Sequence, residues 1–301
     1  MSPVVNAKKE EKSGEEAEEE EKNNGHVNIN EKSKSKNRKR KEESAYGNYK
    51  NYYGYRIDKG MDEDPRLQVL KREWFHGKEC LDIGCNSGII TISIAKKFGC
   101  RRILGIDIDG ELIQHARWNL RRIVREDSKG NLNVKPSKLN DKERVNDLEH
   151  GPTVPSVGNA KVGSCPEESE LPRIVSFKVD NFVESWGPPE ERFDTILCLS
   201  VTKWFHLNWG DDGLITALSK IWKILRPGGI LVLEPQPWRS YESKHLVSER
   251  AATNYRAIKF HPECFQEILL DKIGFRKVED ITSGLAGSKT GFQRPILAFH
   301  K

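Results

Sequence analysis

Leu81–Gly88, LeuAspIleGlyCysAsnSerGly, is the stretch on which the fold turns. It follows a short apolar run, Glu79–Ile83, and precedes Ile89–Phe98, where Ile90, Ile94, Ala95 and Phe98 recur at helical spacing. Strand, tight glycine turn and helix in that order open a βαβ unit. Gly84 allows a sharp backbone turn, and Gly88 lets the helix start close to a ligand. The spacing departs from the dinucleotide fingerprint GxGxxG, because Asn86 stands in place of the second glycine. Asn tolerates left-handed backbone angles better than most residues, so the turn survives. A second strand, Arg102–Ile108, ends in GlyIleAspIleAsp (105–109) and brings Asp107 about twenty residues past the glycines, where a carboxylate accepts hydrogen bonds from both hydroxyls of a ribose.

The alternation continues on both sides of the turn. Glu111–Val124 reads as a helix with Leu112, Ile113, Ala116 and Leu120 on one side. Strands are expected at Ile174–Val179, Thr195–Ser200 and Ile230–Glu234, with a helix at Leu214–Leu225 that ArgProGlyGly (226–229) terminates. A helix at Pro262–Ile273 precedes strands at Arg276–Asp280 and Pro295–His300, whose connection has no helical pattern. Those two pair antiparallel at an edge. The expected fold is therefore α/β, a doubly wound, mostly parallel seven-stranded sheet closed by an antiparallel C-terminal hairpin.

Residues 1–44 carry no Leu, Phe or Trp, and their charges fall into an acidic block, Glu15–Glu21, and a basic block, Lys32–Lys41. Such composition buries too little apolar surface to offset ordering entropy, so a disordered charged tail is expected there, ahead of one domain at 45–301. A second soft stretch, about 126–172, is rich in Asn, Ser, Pro, Gly and charge and has no Phe, Tyr or Trp; it reads as a disordered insertion. The net charge of +5 is unevenly spread: the tail is neutral and the inserted stretch carries −3, which leaves +8 on the rest. That surplus suits an anionic partner such as RNA without requiring one. Six cysteines with no CxxC pair suggest reduced thiols and no zinc site. The sequence shows no apolar signal segment and no run of transmembrane length, so no membrane partner is expected. The basic tract fits a nuclear localisation signal, an RNA-contacting arm or a solvated charge run, with nuclear import placed first and a cytoplasmic pool left open.

Leu197–Gly213, LCLSVTKWFHLNWGDDG, runs from an apolar strand into a loop crowded with Lys203, Trp204, His206, Asn208 and Trp209. Ligands in open α/β sheets bind at the carboxyl ends of such strands. The alternative is a loop whose tryptophans pack as core, and at least one of Trp204 and Trp209 is expected to be core alone. Lys203 is a poor neighbour for an amine that must become cationic and a good one for an anion. A phosphate oxygen is already nucleophilic at neutral pH and requires only positive charge, donors and alignment; Lys203 and Arg56 suit that role, with His206 a weaker contributor. Upstream, TyrGlyAsnTyrLysAsnTyrTyrGlyTyrArg (46–56) holds five of the seven tyrosines, either to stack bases or as a flap over the sheet, and as both if the flap lids the cofactor.

The glycine turn, Asp107 and the terminal hairpin together resemble class I methyltransferases that use S-adenosyl-L-methionine. YGNYKNYYGYR, LDIGCNSG, GIDID, LCLSVTKWFHLNWGDDG, LRPGGILVLEPQPW and GFQRPILAFHK further resemble the bicoid-interacting-protein family of RNA methyltransferases. The resemblance spans 45–301 outside the insertion. It implies methyl transfer from S-adenosyl-L-methionine to the 5′-terminal γ-phosphate of a small non-coding RNA. It also implies cofactor contacts from Tyr53, Arg66, Gly84, Cys85, Asn86, Asp107, Ile108, Asn181, Phe182 and Leu199, and phosphate positioning by Tyr52, Arg56 and Lys203 as the catalytic set, with no metal. The expected partner is RNA phosphorylated at its 5′ end, bound by a monomer with room for ribonucleoprotein partners. A sister branch of the family acts on 5′-monophosphates, and that end stays open. Two further readings stay open: an RNA-binding scaffold that stabilises a small nuclear RNA, and a small-molecule methyltransferase.

Overall fold

The strand β1 (Glu79–Ile83) lies in the interior of the sheet, buried along its whole length. In the computed structural model, which describes residues 45–53, 63–131, 170–185, 190–282 and 294–301, it pairs in parallel with β2 (Arg102–Asp107) on one side and β4 (Phe193–Leu199) on the other. All described residues belong to one compact unit, Lys41–Lys301. With β3 (Val175–Val179), β5 (Leu225–Glu234), β6 (Lys277–Asp280) and β7 (Leu297–His300), the sheet has the order β3-β2-β1-β4-β5-β7-β6. The first five are parallel, and β7 runs antiparallel to both β5 and β6, as the strand pattern predicted. The residues joining β6 to β7 at 283–293 lie outside the described set.

Alternation along each strand sends side chains to two separate cores. Leu197 and Leu199 of β4 and Val232 of β5 face α1 (Ile89–Phe98) and α2 (Gly110–Asn131), where Ile90, Ile94, Phe98, Ile113 and Ala116 meet them. Ile196, Cys198, Leu231 and Leu233 point the other way, onto Leu214, Leu218 and Ile221 of α3 (Thr202–Ile224).

Three features depart from the sequence reading. The helix α3 begins at Thr202, so the polar aromatic stretch after β4 is helical and not a loop. Its apolar residues serve two different packings: Phe205 stacks on Phe182, while Trp204 and Leu207 join Tyr241 and Ala251. Gly210 (φ 66°, ψ −166°) kinks the helix and separates that face from the one beginning at Leu214. Helix α2 runs past Val124 to Asn131, into the stretch expected to be an insertion, and Arg122–Glu126 and Lys96–Asp127 ion pairs support its extension. The tail 1–44 and residues 132–169 lie outside the described residues. Finally, α4 (Trp238–Glu242) and α5 (Glu249–Ala257) have no counterpart in the predicted elements. Ser248 caps α5 by accepting from the Ala251 amide at 3.1 Å, and the helix buries little beyond Ala251 and Ala252, too narrow an apolar face for a periodicity signal. Cys80, Cys85, Cys100 and Cys198 are buried free thiols, whereas Cys264 is exposed.

Candidate active site

The carboxyl ends of β1, β2 and β4 open into one solvent-connected cavity. Its floor is the glycine turn. Gly84 (φ +72°) packs so closely under Val201 that a Cβ there would come within 2.4 Å of that side chain, and Asn86 takes the left-handed angle (φ 52°) that let it replace glycine. Asn86 and Asp107 lock the turn to the end of β2: the Asn86 amide donates to Asp107 Oδ2 at 2.9 Å, and the Asp109 amide to Oδ1 at 3.0 Å. Burial raises the Asp107 carboxyl above its ordinary range, with those two amides acting against the shift. Each oxygen keeps a lone pair for a ligand hydroxyl. Deeper in, Asp82 accepts from Thr91 Oγ1 at 2.6 Å, and burial pushes its carboxyl up to about 6.

The opposite wall combines Asn181, Phe182, Leu199, Ser200, Val201, Trp204, Phe205 and Trp209. Asn181 also serves as an ordinary turn residue, its Nδ2 donating to Glu184 Oε2 at 2.8 Å. Trp204 and Trp209 both line the cavity, so neither is core alone, contrary to the expectation for at least one. Ser200 holds a left-handed angle (φ 62°) without being glycine, at the junction of β4 and α3.

The tyrosine-rich segment forms a strap over this opening. Tyr46 tilts against Trp209 at 5.8 Å and Tyr49 meets Trp204 edge-on at 5.9 Å. Asn48 Nδ2 donates to Asp109, Asn86 Nδ2 to the Tyr49 carbonyl at 3.1 Å, and Asn208 Nδ2 to the Ala45 carbonyl at 2.9 Å. The strap thus bonds the glycine turn, the end of β2 and α3. Tyr46, Gly47, Asn48, Tyr52 and Tyr53 line the cavity, and the Ile90 amide donates to the Tyr53 hydroxyl at 3.4 Å.

Most expected cofactor residues converge here: Tyr53, Arg66, Gly84, Asn86, Asp107, Ile108, Asn181, Phe182 and Leu199 all line the cavity. Arg66 is fully buried, held by Asp64 at 2.7 Å and Glu234 at 3.0 Å. The Cys85 side chain does not line it; the thiol turns into the core beside Gly105. Arg56 lies outside the described residues.

Lys203 stands one position before Trp204 and outside the cavity lining, its Nζ 2.7 Å from Ser240 Oγ of α4 and 4.7 Å from the Trp204 ring centre. Burial, with Arg294 and Lys244 nearby, pushes its ammonium down to about 7. Its backbone amide and Thr202 Oγ1 both donate to Gln236 Oε1, and Gln236 Nε2 donates to the Ser200 carbonyl. One glutamine after β5 therefore fixes the start of α3. Arg294 Nη1 donates to Ser200 Oγ at 2.9 Å. The sequence reading gave no role to Ser240, Gln236, Lys244 or Arg294; the compact EPQPW run after a strand was the available signal. His206 is no phosphate ligand: fully buried, it bonds Asp211 at 2.7 Å and Tyr241 at 3.3 Å.

The residues present fit S-adenosyl-L-methionine. Asp107 offers free acceptor capacity at a ribose position, and Asp82 is an acid of opposite sign to an amino-acid ammonium. Asn48 Oδ1 is a buried acceptor with no protein partner among the described residues.

Comparison with known proteins agrees. The family model described as Bicoid-interacting protein 3 matches residues 193–301, and that of ribosomal protein L11 methyltransferase matches 66–147. A probable RNA methyltransferase of Arabidopsis thaliana is 60% identical over 264 residues, covering 86% of this chain and 81% of that protein. The 7SK snRNA methylphosphate capping enzyme of Homo sapiens is 42% identical over 279 residues, covering 85% of this chain, which spans 39% of that longer protein. The U6 snRNA methylphosphate capping enzyme Amus of Drosophila melanogaster is 37% identical over 259 residues, covering 85% of this chain and 74% of that protein. With the sheet order and the glycine turn as their structural counterpart, these matches show that the chain belongs to the bicoid-interacting-protein family of RNA methyltransferases, with the class I S-adenosyl-L-methionine-dependent fold.

Proposed function

We propose that this protein transfers a methyl group from S-adenosyl-L-methionine to a phosphate oxygen at the 5′ end of a small non-coding RNA, with the γ-phosphate of a triphosphate as acceptor, in the nucleus. The observation that carries this reading is Lys203. It is a buried ammonium bonded to a serine hydroxyl, with no carboxylate partner among the described residues and two further cations beside it. Burying an unpaired charge is costly, and an anion that enters beside it relieves that cost.

The cavity residues hold the cofactor and Lys203 holds the acceptor. Asp107 would take the ribose hydroxyls, Asp82 the methionine end, and Asn181 and Phe182 the adenine. When bound, S-adenosyl-L-methionine supplies an electrophilic methyl group on a positively charged sulfur. Lys203 and Ser240 orient the phosphate for in-line attack, with Tyr52 and Arg56 assigned to the same phosphates. Held by Lys203 and Ser240, the acceptor oxygen would present a lone pair to that methyl carbon, the carbon–sulfur pair staying with sulfur. No residue has to remove a proton, because the attacking oxygen is already ionised at neutral pH. Strap and tryptophans exclude water from the reaction.

The test incubates the protein with methyl-labelled cofactor and 5′-triphosphate or 5′-monophosphate RNA, followed by phosphatase and nuclease digestion. Label recovered on the terminal phosphate supports the reading. Label confined to bases or ribose sinks it, and transfer to the monophosphate alone corrects the acceptor. Retention of RNA without any transfer favours the scaffold reading.

A further inference from the structure

Helix α2 leaves the cavity directly, since Asp107 and Ile108 line it and the helix starts at Gly110. Its inner side, Leu112, Ile113 and Ala116, is buried. Its outer side is unusual. Trp118 is 56% exposed, and Arg121, Arg122 and Arg125 follow it at the three- and four-residue spacings that place side chains on one helix face. Trp118, Arg121, Arg122, Arg125 and Glu126 line a single surface pocket. The Arg122 guanidinium lies 5.5 Å from the Trp118 ring centre and pairs with Glu126 at 2.9 Å. Asp127, the other nearby acid, is taken by Lys96. Arg121 and Arg125 have no acidic partner among the described residues and are exposed.

Resting on the RNA reading above, we infer that this face of α2 is a docking track for the substrate RNA downstream of its 5′ end. A helix rises about 1.5 Å per residue, so Trp118 stands roughly 12 Å and Arg125 roughly 22 Å along the axis from the start of α2. A strand that leaves the cavity past the start of α2 spans that stretch with several nucleotides. The exposed indole offers a stacking face to a base of any sequence, and the unpaired guanidiniums take phosphates bidentately. An acidic peptide would use the arginines but leave the indole without a flat partner, which favours RNA. The track explains affinity for the body of the RNA without base readout.

Fluorescence anisotropy of an RNA of about 20 nucleotides, read against full-length W118A/R121Q/R125Q across a salt series, decides the matter. Methylation of a 5′-triphosphate dinucleotide, too short to reach the track, serves as the internal control. The expected result is an affinity loss of about tenfold or more for the long RNA. The log–log salt slope flattens by about 1.4, for two phosphate contacts at about 0.7 each. W118F retains the stacking share, and dinucleotide kcat/KM is unchanged. Unchanged affinity and slope overturn the track. So does an equal fall in both substrates, which would mean damage to the catalytic site, and so does loss of binding to polyglutamate, titrated alongside as an acidic-peptide probe, with RNA binding intact. Wild-type protein that methylates neither RNA overturns the functional reading instead, and the anisotropy series still reports on the track alone.

Discussion

At the scale of single residues, Lys203 and Asp107 carry opposite electrostatic burdens. Lys203 is a cation whose folded pKa is lowered to about 7, so its charged form opposes folding at and below that pH, and the opposition fades as pH rises toward 10.5. Lys203→Met should therefore raise the thermal midpoint of the ligand-free protein at pH 7 while lowering kcat/KM at least about 100-fold, read by a melt and by methyl transfer. Phosphate binding needs the protonated amine, and the acceptor's own last ionisation, near pH 6, is complete below this range. RNA affinity should accordingly weaken as pH rises from about 7 to 9, while Lys203→Arg stays flat; anisotropy at fixed salt measures both. Asp107→Ala should weaken cofactor binding by about 100-fold or more in calorimetry, since two ribose hydrogen bonds to a carboxylate are lost.

At the scale of elements, the strap 45–53 and helix α3 close the site from two sides. Gly47 sits at φ +75° against Trp204, where a Cβ would lie 2.0 Å from the indole nitrogen. Gly47→Ala should lift the strap, reduce cofactor affinity about tenfold and leave the melting temperature within a few degrees, because Tyr53 is the one residue of the strap that packs against a sheet core. A fall in midpoint equal to that of a core cavity mutant would show that the strap is part of the fold's foundation. The same elements show what sequence periodicity reached. The strands around the glycine turn were legible because a strand buried on both faces reads as a short apolar run bounded by turn residues, as β1 and β4 do. The helical character of Thr202–Trp209 was hidden, because Lys203, His206 and Asn208 alternate with Trp204, Phe205 and Leu207, and all of them are buried. A helix buried all round carries no amphipathic signal.

At the scale of the whole molecule, cofactor binding and folding are linked. At a concentration about 100-fold over the dissociation constant, S-adenosyl-L-methionine should add about 2.7 kcal/mol. For a domain of this size that is a rise of roughly 5–10 °C in midpoint, cut to about 1 °C in Asp107→Ala, and a thermal scan of both proteins checks it. No rise in either protein would contradict the cofactor assignment.

What the sequence determined by itself was local and covalent. It set the order of strands and helices, the glycine turn with Asn86 in the left-handed position, Asp107 at the end of its strand, and the antiparallel edge. Those follow from backbone conformation and alternation, which neighbouring residues impose. The tertiary structure decided which side chains share a space. It drew Tyr46–Tyr53 over the opening, turned Cys85 and His206 into the interior, and set Ser240 against Lys203 across 37 residues of chain. It also enlisted Gln236 to hold the head of α3. No spacing rule links such residues, because their proximity is a consequence of packing two cores on one twisted sheet.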